Sequence, residues 1–293
     1  MFRGVGTALI TPFTPAGALD EAALAKFVDW QITEGVNFLV PCGTTGENPT
    51  LTPAEHRRVV ELTVRTAKGR VPVLAGAGSN STIKAVQLAN EALDLGADGI
   101  LTITPYYNKP TPDGLLRHFG AQAEAIEKRK SGFPMIMYNV PGRTGLNMTA
   151  ETTLRMAREI PNIIGVKEAS ANMEQILSIL RDRAKGFLVL SGDDAWTLPL
   201  LAVGADGVVS VASNEVPRLM RQMVDGRDVA IHNRLLPLLT GNFIESNPGP
   251  AKAALRMMGV LESDTVRPPL APMTEANCER LQAILRECQL IEP

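Results

Sequence analysis

The chain has 293 residues, of which 45% are apolar and 20% charged, with a formal net charge of −2 and a pI near 6.0. That is the composition of a soluble globular protein, and the absence of a basic stripe argues against a nucleic-acid partner. Three cysteines, Cys42, Cys278 and Cys288, show no C-x-x-C spacing, and the N-terminal apolar run is too short for a leader; both suit a reducing, cytoplasmic setting. No stretch approaches the ~18 uninterrupted apolar residues of a membrane span.

Eight short runs rich in valine and isoleucine recur, at residues 5–10, 38–40, 71–75, 99–103, 134–138, 163–166, 187–190 and 208–211. They do not alternate with polar residues, the pattern of strands buried on both faces of a parallel sheet. Helical signals lie between them. Asp20 is placed to cap a helix presenting Leu24, Phe27 and Val28. Thr52-Pro53-Ala54-Glu55 is a capping box with proline at the first helical position, and Thr111-Pro112-Asp113 opens a helix in the same way. Ser170 is placed to cap a helix whose apolar face is Met173, Ile176, Leu177 and Leu180.

An internal echo joins D-L-G-A-D-G-I-L-T-I-T-P at residues 94–105 to A-V-G-A-D-G-V-V-S-V-A-S at residues 202–213. Each reads as a helix end, a glycine turn and the start of a strand. Eight repeated strand–helix units predict an α/β fold, a (β/α)8 TIM barrel, with a doubly wound sheet as the other arrangement of repeated units. From residue 229 onward the pattern is helical and punctuated by prolines. The expected division is a catalytic barrel over residues 1–228 and a helical C-terminal extension over 229–293.

In such a barrel the C-terminal ends of the strands carry the chemistry. The sixth run, I-I-G-V, leads straight into Lys167. Burial penalises an ammonium, and the neutral amine forms Schiff bases with ketones and aldehydes. A structural ion pair, with Glu168 for example, or a side chain reaching solvent is the plainer alternative. The chain's three tyrosines, Tyr106, Tyr107 and Tyr138, all fall at strand ends, where a phenol can relay the protons of imine chemistry. Gly43-Thr44-Thr45-Gly46-Glu47 offers backbone N–H groups and two hydroxyls to a carboxylate, or is simply a turn capping the next helix. Arg143, in a loop after Pro141-Gly142, can pair a carboxylate or be solvated. His56, His118 and His232 form no metal-ligand motif, and the first two are expected on helix surfaces. Asp193-Asp194 offers two carboxylates to a cation or, more simply, caps the next helix, and Cys42 is expected to be a small buried residue.

Together these residues resemble the dihydrodipicolinate synthase family over nearly the whole chain. The motifs are G-T-T-G-E from Gly43, T-P-Y-Y-N-K-P from Thr104, Y-N-V-P-G-R-T from Tyr138, I-I-G-V-K-E-A from Ile163 and L-S-G-D-D from Leu190. The resemblance implies a barrel with a helical C-terminal domain, a homotetramer of two tight dimers, and condensation of pyruvate with L-aspartate 4-semialdehyde in lysine and diaminopimelate synthesis. It implies no cofactor. It makes Lys167 the imine-forming residue and Tyr138 a proton relay completed by Thr44 and Tyr107, with Tyr107 reaching across the tight dimer. Thr45 would hold the pyruvate carboxylate, Val209 would line the pyruvate site with its backbone, and Arg143 would bind the second carboxylate.

The nearest rivals are other imine-forming enzymes, N-acetylneuraminate lyase and 2-keto-3-deoxy-sugar-acid aldolases. Arg143 and the Tyr106-Tyr107 pair favour the synthase. A non-catalytic keto-acid sensor would not need the lysine, the tyrosines and both threonines together. Lysine-inhibited relatives bind L-lysine in a cleft at the tight-dimer interface. His56, Asn80 and Tyr106 match positions of that cleft, but Lys84 stands where strongly inhibited relatives carry an acidic residue. Pro53 and Asn48-Pro49 are further departures.

Overall fold

The computed structural model describes residues 1–292. Its strands are β1 (Gly4–Ala8), β2 (Phe38–Val40), β3 (Leu74–Gly76), β4 (Gly99–Ile103), β5 (Met135–Asn139), β6 (Ile163–Glu168), β7 (Leu188–Ser191) and β8 (Gly207–Ser210). They pair in parallel in the order β2-β1-β8-β7-β6-β5-β4-β3. A single bridge, Leu39 to Val73, brings the outer pair together and nearly closes the barrel. Here the third run is shorter than its composition suggests. Pro72 has no N–H to give a ladder, so only its carbonyl takes part, accepting from Leu39 N at 3.0 Å, and the strand proper starts at Leu74.

The helices are α1 (Glu21–Thr33), α2 (Pro53–Ala67), α3 (Thr82–Asp94), α4 (Pro112–Glu127), the single turn α5 (Pro141–Thr144), α6 (Ala150–Glu159), α7 (Met173–Asp182), α8 (Asp194–Ala202), α9 (Pro217–Gly226), α10 (Val229–Gly241), α11 (Gly249–Met257) and α12 (Glu275–Glu287). Asp20, Thr52 and Thr111 cap α1, α2 and α4 as expected, with the full reciprocal capping box at Thr52 and Glu55. The cap of α7 is Asn172 rather than Ser170, whose hydroxyl instead accepts from Asn172 N at 3.2 Å. Among the described residues, no helix is long and apolar enough to cross a membrane.

The internal echo has a physical purpose. Gly96 and Gly204 take φ values of 82° and 106°, a turn that a side chain would strain. Two residues on, Asp98 and Asp206 each accept the backbone N–H of a preceding strand segment, Val73 and Val189, at 2.9 Å. Each aspartate thereby ties the start of one strand to its neighbour.

Three apolar layers result. The largest lies between sheet and helices and includes Leu39, Met135, Met137 and Val166. The lumen holds Phe2, Phe38, Ile136, Tyr138, Leu190 and Val209. Phe2 and Phe38 meet edge-to-face, 5.5 Å between centroids, and Gly6 leaves the space that the Phe38 ring fills. The third layer packs α8, α9 and the C-terminal helices through Met220, Met223, Leu235, Leu238, Leu281 and Leu285. The helical extension is thus joined to the barrel by an apolar core of its own.

Candidate active site

The site begins with a strand irregularity. Between β5 and β6 the register runs Met135 to Ile163, then Ile136 to Gly165, so β6 carries one extra residue. An inserted residue reverses which face the following side chains occupy. Met135 and Ile163 both pack outward under the helices. Without the insertion Lys167, four residues after Ile163, would point outward as well. With it, Lys167 pairs with Tyr138 and turns into the lumen. Gly192 on the next loop makes room, because a Cβ there would lie 3.1 Å from Lys167 Cε.

Lys167 is 6% exposed, and its amine stands 4.3 Å from the centroid of the Tyr138 ring. Burial pulls its pKa down to about 8; the Asp194 carboxylate opposes this and the Arg143 guanidinium reinforces it. Glu168, the alternative ion-pair partner, faces the other way. Its carboxylate accepts from Asn139 Nδ2 (3.1 and 3.2 Å), Gln175 Nε2 (3.2 Å) and Ser170 N (2.8 Å). Burial pushes the Tyr138 phenol up to about 12, against the pull of Arg143 and the Thr44 hydroxyl. The phenol therefore keeps its proton at neutral pH and has one to give.

The 43–47 turn brings two hydroxyls to the mouth. Glu47 N donates to Thr44 O at 3.0 Å, and Gly46 O accepts from Thr11 Oγ1 at 2.7 Å. Thr45 is buried, and its oxygen accepts from Asn247 Nδ2 at 3.0 Å. A hydroxyl that accepts there retains its own proton for a ligand. Val209 is buried in the lumen layer, opposite Gly6 of β1.

Thr44, Tyr138 and Arg143 line one cleft of about 560 Å³, which also takes in Tyr106, His56 and Lys84. Lys167, Thr45 and Val209 are not among its lining residues, and neither is Tyr107. The ring is 87% exposed on a backbone with φ 72°, anchored by its N–H to Thr144 O at 3.1 Å. Two histidines differ from the sequence expectation. His56 and His118 are buried, because each lies on the inner face of its helix. His56 Nε2 donates to Gly76 O at 2.9 Å, and burial pulls His118 down to about 4. Cys42 is buried, and burial pushes its thiol up.

Near the site, Asp194 does not share the helix cap expected of it, and Asn247 was not marked by the sequence at all. Asp194 is buried and accepts from Val211 N and Ala212 N, both at 2.9 Å, so it fixes the loop after β8, while Asp193 alone caps α8. Asn247 reaches Thr45 from 202 residues along the chain. S-G-D-D was a visible signal for the first; nothing local marked the second. Among the described residues no group of three or more His, Cys, Asp or Glu is placed to hold a metal ion.

The chain matches the model of the dihydrodipicolinate synthetase family over residues 1–288. It is 50% identical to the 4-hydroxy-tetrahydrodipicolinate synthase of Koribacter versatilis, across 99% of this chain and 97% of the relative. The dihydrodipicolinate synthase of Thermotoga maritima superposes with a TM-score of 0.94 at 40% identity, covering 99% of this chain and 100% of that one. A chloride-inhibited dihydrodipicolinate synthase from Acinetobacter baumannii, solved in complex with pyruvate, has a TM-score of 0.94 at 39% identity, with the same coverage.

Proposed function

The chain belongs to the dihydrodipicolinate synthetase family, and on that premise we propose that it condenses pyruvate with L-aspartate 4-semialdehyde to 4-hydroxy-tetrahydrodipicolinate, through an imine on Lys167. The observation that carries this reading is a buried lysine, its pKa drawn down to about 8, packed against a protonated tyrosine at the C-terminal end of a barrel.

Neutral Lys167 attacks the pyruvate ketone. The carbinolamine loses water, with Tyr138 moving protons and Thr44 beside it. The imine draws a proton from the methyl carbon, leaving an enamine that attacks the aldehyde carbon. The amine of the semialdehyde then adds to the imine carbon, closes the ring and expels Lys167. Thr45, with its free hydroxyl proton, and the backbone around Val209 hold the pyruvate carboxylate. Arg143 at the rim pairs the second carboxylate.

Tyr107 completes the relay from the partner subunit of a tight dimer. Its exposed ring on a backbone tied to Thr144 supports a role outside its own cleft. Two such dimers assemble into a tetramer, and the enzyme works in the cytoplasm, in lysine and diaminopimelate synthesis. A coupled assay with pyruvate and aspartate semialdehyde, run beside cleavage assays on sugar acids, tests the reading. Condensation without sugar-acid cleavage is expected; the reverse would move the chain to the aldolases.

A further inference from the structure

Lys252 lies on α11, in the helical extension, yet its side chain is fully buried. Its ammonium ends against the 43–47 turn. Nζ donates to Glu47 Oε1 at 2.5 Å and to Thr265 O at 2.8 Å, and stands 4.2 Å from the centroid of the Phe13 ring. Glu47 Oε2 accepts Arg267 N at 2.9 Å. The Arg267 guanidinium lies 4.1 Å from the same ring centroid and grips Glu55 at 2.6 and 2.9 Å. Both carboxylate oxygens of Glu47 are therefore held by the C-terminal segment.

The turn needs such a hold. Glu47 has a φ of 53°, a left-handed conformation that a residue with a side chain adopts at a cost. Gly46 sits so close to Leu9 O that a Cβ would lie 3.1 Å away. A buried ion pair adds little net stability compared with apolar packing; its best-attested use is to enforce one geometry. The C-terminal segment touches this turn three times, at Thr45 through Asn247 and at Glu47 through Lys252 and the Arg267 backbone N–H.

We propose that Lys252 is a positioning residue for pyruvate: through Glu47 it fixes the turn that presents Thr45 to the substrate carboxylate and Thr44 to Tyr138. The inference rests on the imine-forming function above. It makes the helical extension part of the pyruvate site, although none of its side chains performs chemistry.

The test compares the wild type with Lys252→Met, Glu47→Gln and the double variant. Three quantities are read: the pyruvate concentration giving half-maximal borohydride labelling, the half-saturating semialdehyde concentration, and the melting temperature. Lys252→Met should raise half-labelling pyruvate about tenfold, a loss of roughly 1.4 kcal/mol, and leave the semialdehyde value unchanged. The double variant leaves no unpaired buried charge, so it folds even where a single variant does not. It should regain the melting temperature while half-labelling pyruvate stays raised about tenfold. Wild-type pyruvate dependence in the folded double variant would overturn the proposal, as would equal shifts for both substrates. Absence of labelling in the wild type would instead overturn the imine function, and this inference with it.

Discussion

Tyr138 and Lys167 are cross-strand partners on β5 and β6, and the lysine amine stands 4.3 Å from the centroid of the tyrosine ring. They share the lumen because one extra residue in β6 reverses the face on which Lys167 emerges. The pairing places a protonated phenol against an amine whose pKa burial has already lowered.

With Lys167 titrating at about 8, roughly a tenth of it is neutral at pH 7. Imine formation should rise about tenfold from pH 7 to 9 and then level off. Stopped-flow rates with saturating pyruvate would measure this. A continuing climb toward pH 10.5 would indicate an ordinary lysine.

The same shift predicts a stability effect. The folded pKa lies below the unfolded one, so between about pH 8 and 10.5 the unfolded chain binds more protons and stability rises with pH. Below pH 8 the whole penalty of burying the ammonium applies, up to about 3 kcal/mol. Lys167→Met should therefore raise the melting temperature at pH 7 and lose that advantage above pH 10. Equal melting at both pH values would remove the penalty.

Tyr107→Phe should lower turnover far more than stability. The ring is exposed within its own chain, where substitutions typically change stability by about 0.5 kcal/mol or less. Steady-state rates and melting curves would separate the two. Unchanged turnover would take Tyr107 out of the relay.

Much of this architecture was legible in the sequence because its causes are local. Valine and isoleucine runs mark strands buried on both faces, and Thr52 with Glu55 marks a helix start through bonds three residues apart. The strand-end placement of Lys167 and Tyr138 was readable for the same reason. Their shared face was not, since a bulge leaves no compositional trace. The choice of Asn172 over Ser170 as the cap of α7 depends on tertiary path, as does the burial of His56 and His118. The brace on Glu47 was hidden because Lys252 lies 205 residues away, in a segment that reads only as helix and proline.

Arg143→Ala should weaken use of the semialdehyde about tenfold or more while pyruvate still labels Lys167. Arg143 is exposed at the cleft rim, yet its charge reaches both Tyr138 and Lys167. Semialdehyde kinetics equal to wild type would exclude it from the site.

Feedback by L-lysine should be weak. Lys84 lines the cleft together with His56 and Asn80, and a cation there repels a cationic ligand. A loss of ~1.4 kcal/mol already weakens binding tenfold. Initial rates under L-lysine titration should change little up to tens of millimolar, and Lys84→Glu should gain sensitivity. Strong inhibition of the wild type below one millimolar would contradict this.

The most direct measurement is intact mass after borohydride reduction in the presence of pyruvate, on the wild type and Lys167→Ala. The imine mechanism predicts that wild type gains the mass of one reduced pyruvate, mapped by peptide digestion to Lys167, and that the variant gains none. Equal labelling of both proteins would assign the nucleophile elsewhere, and an unlabelled wild type would contradict imine catalysis.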